Sequence, residues 1–143
     1  MRGLAVFALA AFLTAFSGAG LAHPGHGGLP AATSGRVVPI DVRTLLPLLV
    51  RKEKGFLLIN VHVPYAGEIP GTDLFLPYDR VAELAAKLPK DKDSPLVVYC
   101  RSGAMSRVAT ATLVRLGYTR VYDLTGGMNA WQAAGLKLAY RSR

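Results

Sequence analysis

Residues 97–117, VVYCRSGAMSRVATATLVRLG, join an apolar run to a helical pattern, with Cys100 at the junction. The run 96–99 has the length and composition of a buried strand. Residues 106–116 have the pattern of a helix, and Gly117 follows at the C-terminal cap position. Continuous apolar strands that alternate with helices are typical of a parallel sheet covered on both faces. This stretch therefore predicts an α/β fold in which Cys100 lies at the carboxyl end of a strand, where open parallel sheets bind ligands.

The same alternation continues on both sides of that stretch. Further apolar runs predict strands at 37–40, 56–61 and 120–124, with a short strand in the LFLP segment 74–77. The first predicted helix runs from a cap at Asp41 to Gly55, and Pro47 either kinks it or marks a later start. Two more helices are predicted, one over 81–88 and one after the Gly-Gly turn at 126–127. The predicted architecture is a small parallel sheet flanked by helices on both faces, and Trp131 is predicted to be a core aromatic.

The N-terminus has the pattern of a secretory signal peptide. A positive start is followed by an apolar stretch, Leu4 to Phe16, and by the small-x-small site Gly20-Leu21-Ala22. An uncleaved anchor is the alternative, but the apolar stretch is shorter than the roughly 20 residues that span a bilayer. We therefore expect residues 1–22 to be removed, 23–35 to be a flexible leader and 36–143 to be the folded domain. The mature protein is expected to be periplasmic or secreted, without stable membrane association.

Composition indicates which classes of ligand this domain can bind. The 143 residues carry 17 Lys and Arg against 9 Asp and Glu, a net charge of +8. The basic residues are scattered and not interleaved with aromatic side chains, which disfavours a nucleic-acid groove. The charge instead favours small anions as ligands.

Cys100 is the single cysteine, so it cannot form an internal disulfide. The alternative to a functional thiol is an inert, buried one. Gly103 allows a tight loop, the following helix directs its positive end at the sulfur, and Arg101 and Arg107 add positive charge, although Arg107 fits a plain surface position equally well. Such surroundings lower the pKa of a thiol and predict a thiolate that holds an anion on or beside sulfur.

YCRSGAMS (99–106) and GGMNAW (126–131) resemble the rhodanese family, and LLINVHVPYAGEIPGTDLFLP (57–77) resembles its upstream signature. The resemblance spans about 37–135. It implies a sulfurtransferase that moves sulfane sulfur from an anionic donor, thiosulfate or similar, to a thiol or cyanide through a persulfide, without metal or other cofactor. A protein partner is also compatible with it.

The resemblance assigns roles within the cysteine loop. Cys100 matches the nucleophile, and Arg101 matches a basic position that binds the anionic donor. The substrate-binding loop continues through Ser102, Gly103, Ala104, Met105 and Ser106, whose amides are expected to hold the persulfide. The Ser106 hydroxyl either donates to sulfur or caps the helix, and capping is the commoner role.

Four residues depart from the family pattern. Asn60 and His62 stand where Asp and Arg are usual, and Glu68 replaces a His. The segment 62–67 is also short, which predicts a missing helix and a reshaped wall of the site. Met105 stands where many relatives carry Arg, so the loop has one cation fewer for a dianionic donor.

Two other functions remain as alternatives. A cysteine-dependent phosphatase needs Arg six positions after Cys and a wider loop, whereas Ser106 stands there and Arg107 follows it. A sulfur carrier or interaction module of the same fold is the other alternative. His23 and His26 would lie at the new N-terminus, but two histidines in a leader are a weak metal signal, and no metal site is predicted.

Overall fold

The computed structural model describes residues 27–142 and has a single five-stranded sheet whose strands all run parallel. The predicted signal peptide and both leader histidines lie outside the described residues. The strand order is β1-β5-β4-β2-β3. The strands are β1 (Val37–Ile40), β2 (Leu57–Asn60), β3 (Leu74–Phe75), β4 (Leu96–Tyr99) and β5 (Val121–Leu124), and the helices are α1 (Val42–Leu49), α2 (Ala104–Arg115) and α3 (Gly127–Ala133). No helix within 27–142 has the length and apolarity needed to cross a membrane.

Helices cover both faces of the sheet, as the apolar strands predicted. On one face, α1 and α3 bury Leu45, Leu48, Met128 and Trp131 against the sheet, which confirms Trp131 as a core residue. On the other face, α2 buries Ala109 and Leu113 in a cluster that also contains Cys100. Each fully buried leucine contributes about 1.5–3 kcal/mol by leaving water, so these faces hold the layers together.

Helix α1 begins as predicted but ends early. The Asp41 carboxylate accepts hydrogen bonds from the Thr44 N–H and hydroxyl, both at 2.8 Å, and these bonds hold the pKa of Asp41 below its usual value. The prediction that the helix continues to Gly55 was wrong, because it ends at Leu49. Pro47 lies inside the helix and has no N–H to donate, so the last turn lacks one backbone hydrogen bond.

The prediction of a helix over 81–88 was also wrong. This segment forms turns and one short 3₁₀ helix, Ala85–Lys87. The amphipathic pattern is real, since Val81 and Leu88 are both buried. Leu88 precedes Pro89 and is already extended, with a ψ of 157°, so the helical turns stop at Lys87.

The cysteine loop lies at the carboxyl edge of the sheet, between β4 and α2. Cys100 directly follows β4, and α2 begins at Ala104, two residues earlier than predicted. The N-cap is Gly103, whose φ of 115° is in the left-handed region that favours glycine. The loop between strand and helix is therefore only four residues long, which brings the first turn of α2 close to the sulfur.

Candidate active site

The Cys100 sulfur is held by the first turn of α2. The side chain is buried, and the Gly103 N–H donates a hydrogen bond of 2.9 Å to its Sγ. The Ser106 hydroxyl lies 3.6 Å from the same sulfur. A backbone amide and a hydroxyl thus converge on one atom, an arrangement that suits a sulfur anion.

These hydrogen bonds decide the ionisation of the thiol. Burial by itself would raise the pKa of Cys100, because a charged sulfur loses water. The backbone amides of Ser106, Gly103 and Ser102, together with the Ser106 hydroxyl, outweigh burial and lower the pKa below its usual value. The thiolate is the nucleophilic form, so the site favours the reactive state of this cysteine.

Ser106 has a different role from the predicted helix cap. It is the third residue of α2 and is fully buried, and its hydroxyl also lies 3.2 Å from the Gly103 carbonyl oxygen. The capping position belongs to Gly103, so that prediction was wrong. The hydroxyl contacts the sulfur, as the other reading expected, but it accepts from the thiol and donates to the Gly103 carbonyl oxygen.

The remaining predicted residues lie on the rim of the loop. Arg101, Ser102 and Ala104 are exposed. Met105 is partly buried and packs against the apolar cluster under α2. His62 is half-buried beside the loop, where burial and the Arg101 charge lower its pKa, so the imidazole is neutral at neutral pH.

The turn Gly126-Gly127, at the start of α3, packs against the cysteine loop. The N–H groups of Met128 and Asn129 donate to the carbonyl oxygens of Cys100 and Arg101, both at 2.9 Å. Gly127 has a φ of 51°, and a Cβ placed on it would lie 2.1 Å from the Cys100 carbonyl oxygen. The GGMNAW motif is therefore needed because only glycine allows α3 to approach the cysteine loop this closely.

The segment after β2 is held by the C-terminal residues. Asn60 is buried, and its amide donates to the Gly67 carbonyl at 3.0 Å and accepts from the His62 N–H at 3.0 Å. Glu68 pairs with Ala139 in an antiparallel bridge and with the Arg141 guanidinium at 2.8 Å. Asn60 and Glu68, which both depart from the family pattern, thus hold the backbone of the segment after β2 in place.

Sequence reasoning missed Asp123, which pairs with Val98 of β4. It lies in β5, and its Oδ1 is buried without a hydrogen-bond partner among the described residues. Burial raises the pKa of this carboxyl, although the Ser106 hydroxyl and the Arg107 charge oppose the shift. A single acidic residue inside the otherwise apolar run VYDL was the available signal.

No group of three or more His, Cys, Asp and Glu side chains comes together within residues 27–142. A hollow of about 260 Å³ lies elsewhere, lined by Tyr65, Phe75, Arg141 and Ser142, none of which belongs to the cysteine loop.

Comparisons with known proteins agree with this geometry. A sulfurtransferase of Allochromatium vinosum is 41% identical over 102 residues, which cover 69% of this chain and 92% of the relative. A thiosulfate sulfurtransferase GlpE of Pseudomonas aeruginosa is 32% identical and covers 68% of this chain and 84% of its own length.

Solved structures share the fold. A rhodanese-related protein of Thermoplasma volcanium matches with a TM-score of 0.61 at 23% identity, over 73% of this chain and 99% of that one. The family model for the rhodanese-like domain matches residues 33–134. The chain therefore belongs to the rhodanese-like domain family.

Proposed function

We propose that the protein is a sulfurtransferase that carries sulfane sulfur on Cys100. The observation that carries this proposal is the sulfur cradle, in which the Gly103 N–H lies 2.9 Å from Sγ and the hydrogen bonds outweigh burial to lower the thiol pKa. Relatives named as sulfurtransferases, at 32–41% identity, support the same activity.

The proposed reaction has two displacement steps. The Cys100 thiolate attacks the outer sulfur of thiosulfate, and the sulfur–sulfur bond of the donor breaks so that sulfite leaves with its electron pair. The resulting persulfide is then attacked at its terminal sulfur by an acceptor thiolate or cyanide, and Cys100 leaves as the thiolate again. Amides of the loop stabilise the anion in both states, and the exposed Arg101 binds the anionic donor.

Mass spectrometry of the intact protein tests this proposal. Treatment with thiosulfate is expected to add the mass of one sulfur atom, and cyanide or dithiothreitol is expected to remove it. Turnover of thiosulfate with cyanide separates an enzyme from a carrier that accepts sulfur only from a protein partner. Cys100-dependent hydrolysis of aryl phosphates without any sulfur adduct would instead favour the phosphatase alternative.

Specificity for the donor depends on Met105. This side chain is neutral, so the loop lacks a cation that a dianionic donor would use. We expect Met105→Arg to lower the KM for thiosulfate about fivefold, because one added charge beside a partly desolvated anion contributes about 1 kcal/mol. Steady-state kinetics measures the change, with Val108→Arg, at an exposed position one turn further along α2, as the matched control. An equal decrease in both variants would show that general charge attraction and not the loop is responsible.

We further propose that the protein works outside the cytoplasm. The apolar stretch Leu4 to Phe16 and the Gly20-Leu21-Ala22 site support export with cleavage after Ala22. N-terminal sequencing of the protein produced in a bacterial host with its full leader is expected to begin at His23. A full-length product that stays in the cytoplasm would contradict this.

A further inference from the structure

Asp123 lies on the same side of the sheet as the reactive sulfur. In the register of the sheet it pairs with Val98, two residues before Cys100 on the neighbouring strand. Side chains two residues apart point to the same face, and Val98, Cys100 and Val121 all pack in the apolar cluster under α2. The carboxyl group of Asp123 therefore points into the layer between the sheet and α2, where the cysteine side chain also lies.

The carboxyl oxygen in this layer has no assigned partner. Oδ1 of Asp123 is inaccessible to solvent and accepts no hydrogen bond within residues 27–142. Buried polar atoms of this kind are rare in native proteins, and an unpaired one calls for an explanation.

Two groups of α2 lie close to the carboxyl. Ser106 and Arg107 are close enough to affect its pKa, and Cys100 follows the paired strand β4. On the other side, β1 places Pro39 opposite Asp123, and a proline cannot titrate. Ser106 is thus close to both ionisable groups, since its hydroxyl lies 3.6 Å from Sγ of Cys100 and opposes the rise that burial causes in the pKa of Asp123.

We propose that Asp123 is the proton partner of Cys100, and that the Ser106 hydroxyl couples the two groups. In the structure the thiol donates to Ser106 Oγ, and the Ser106 hydroxyl donates to the Gly103 carbonyl oxygen. For the proton transfer this hydroxyl turns about its C–O bond from that carbonyl to the Asp123 carboxylate. To form the thiolate, Ser106 gives its proton to Oδ1 and accepts the thiol proton, and the electron pair of the S–H bond stays on sulfur. The carboxylate becomes a carboxylic acid, so no proton has to enter water and no redox step is involved.

One hydroxyl proton cannot serve two anions at once. When only one of Cys100 and Asp123 is charged, Ser106 can form a hydrogen bond with each of the two groups. When both are charged, Ser106 can donate to one of them only, and the two like charges repel each other. The two groups should therefore share one proton over a range of pH, as coupled sites do.

This inference depends on the proposed nucleophilic use of Cys100, but its test needs no sulfur donor. The rate of alkylation by iodoacetamide is measured against pH, since only the thiolate reacts. In Asp123→Asn the amide donates to Ser106 and the charge is lost, so the midpoint of the alkylation profile is expected to fall by about one pH unit. Asp91→Asn makes the same change of charge at the opposite edge of the sheet, before β4, and should leave the midpoint unchanged.

A double-mutant comparison tests the role of Ser106. In the Ser106→Ala background, Asp123→Asn is expected to shift the midpoint by less than half of its effect in the native chain, because only charge repulsion remains. A full shift in both backgrounds overturns the coupling through Ser106. A shift of less than about half a pH unit in the native background, or a rise, overturns the proton partnership itself.

A second measurement uses the native chain and does not depend on any substitution at Asp123. The carboxyl carbon resonance of Asp123, followed by NMR against pH, is expected to show an inflection at the midpoint of Cys100 ionisation. That inflection should disappear in Cys100→Ser. A single inflection that is the same in both proteins overturns the proposal, whereas failure to form a sulfur adduct with intact coupling would count against the proposed function alone.

Discussion

Replacement of Cys100 by serine is expected to lower sulfur transfer by about 10³-fold or more and to abolish the sulfur adduct. Loss of a catalytic nucleophile has effects of this order or larger in enzymes that form covalent intermediates. A serine hydroxyl in the same cradle would still receive the hydrogen bond from Gly103, but it stays protonated at neutral pH. The rate of thiocyanate formation from thiosulfate and cyanide, together with intact mass, measures both effects.

The design of this experiment separates chemistry from folding. Cys100 is buried, but serine is nearly isosteric with cysteine, so the thermal unfolding temperature of the variant should change little compared with its activity. Ser102→Ala, at an exposed position of the same loop, is the control that should keep most of the activity. Residual turnover above about a tenth of the native rate in Cys100→Ser would show that another group accepts the sulfur.

The strands and their faces could be predicted because each signal was local. Continuous apolar runs such as LVVY can only be buried on both sides, and the alternation with helices then determines a parallel sheet. The ends of helices depend on small differences between competing interactions, which the sequence pattern does not resolve. Pro47 did not prevent α1 from forming, yet the helix ended two residues later. Residues 81–88 kept their amphipathic burial, but Leu88 before Pro89 is extended and only a short 3₁₀ helix forms in this segment.

The candidate site was predictable only where its parts are close in sequence. Cys100, Gly103 and Ser106 lie within one short loop and helix turn, so their approach follows from the local chain. Gly127 meets this loop from α3, and Asp123, on β5, lies opposite Val98, through helix packing and strand pairing that periodicity does not specify. Both placements depend on contacts between elements that are distant in sequence. Sequence reasoning therefore missed Asp123 and assigned the Gly-Gly motif only a turn.

Replacement of Gly127 by alanine is expected to be the most destabilising single-methyl change in the loop region. The new Cβ would lie 2.1 Å from the Cys100 carbonyl oxygen and 2.9 Å from that of Arg101, so backbone must move to relieve the overlap. Displacement would also weaken the hydrogen bonds that Met128 and Asn129 donate to the same two carbonyls. We expect a loss of about 3 kcal/mol or more in the free energy of unfolding, which is large for a single substitution.

Gly135 supplies the matched control for this change. It also has a positive φ, of 80°, but no atom lies within 4 Å of a Cβ placed there. Gly135→Ala should therefore cost only the strain of a left-handed alanine, about 1 kcal/mol. Urea unfolding gives both values, and the alkylation midpoint of Cys100 should rise only in Gly127→Ala, since the displaced loop holds the thiolate less well. Equal losses of stability in the two variants, with unchanged midpoints, would mean that α3 does not position the cysteine loop.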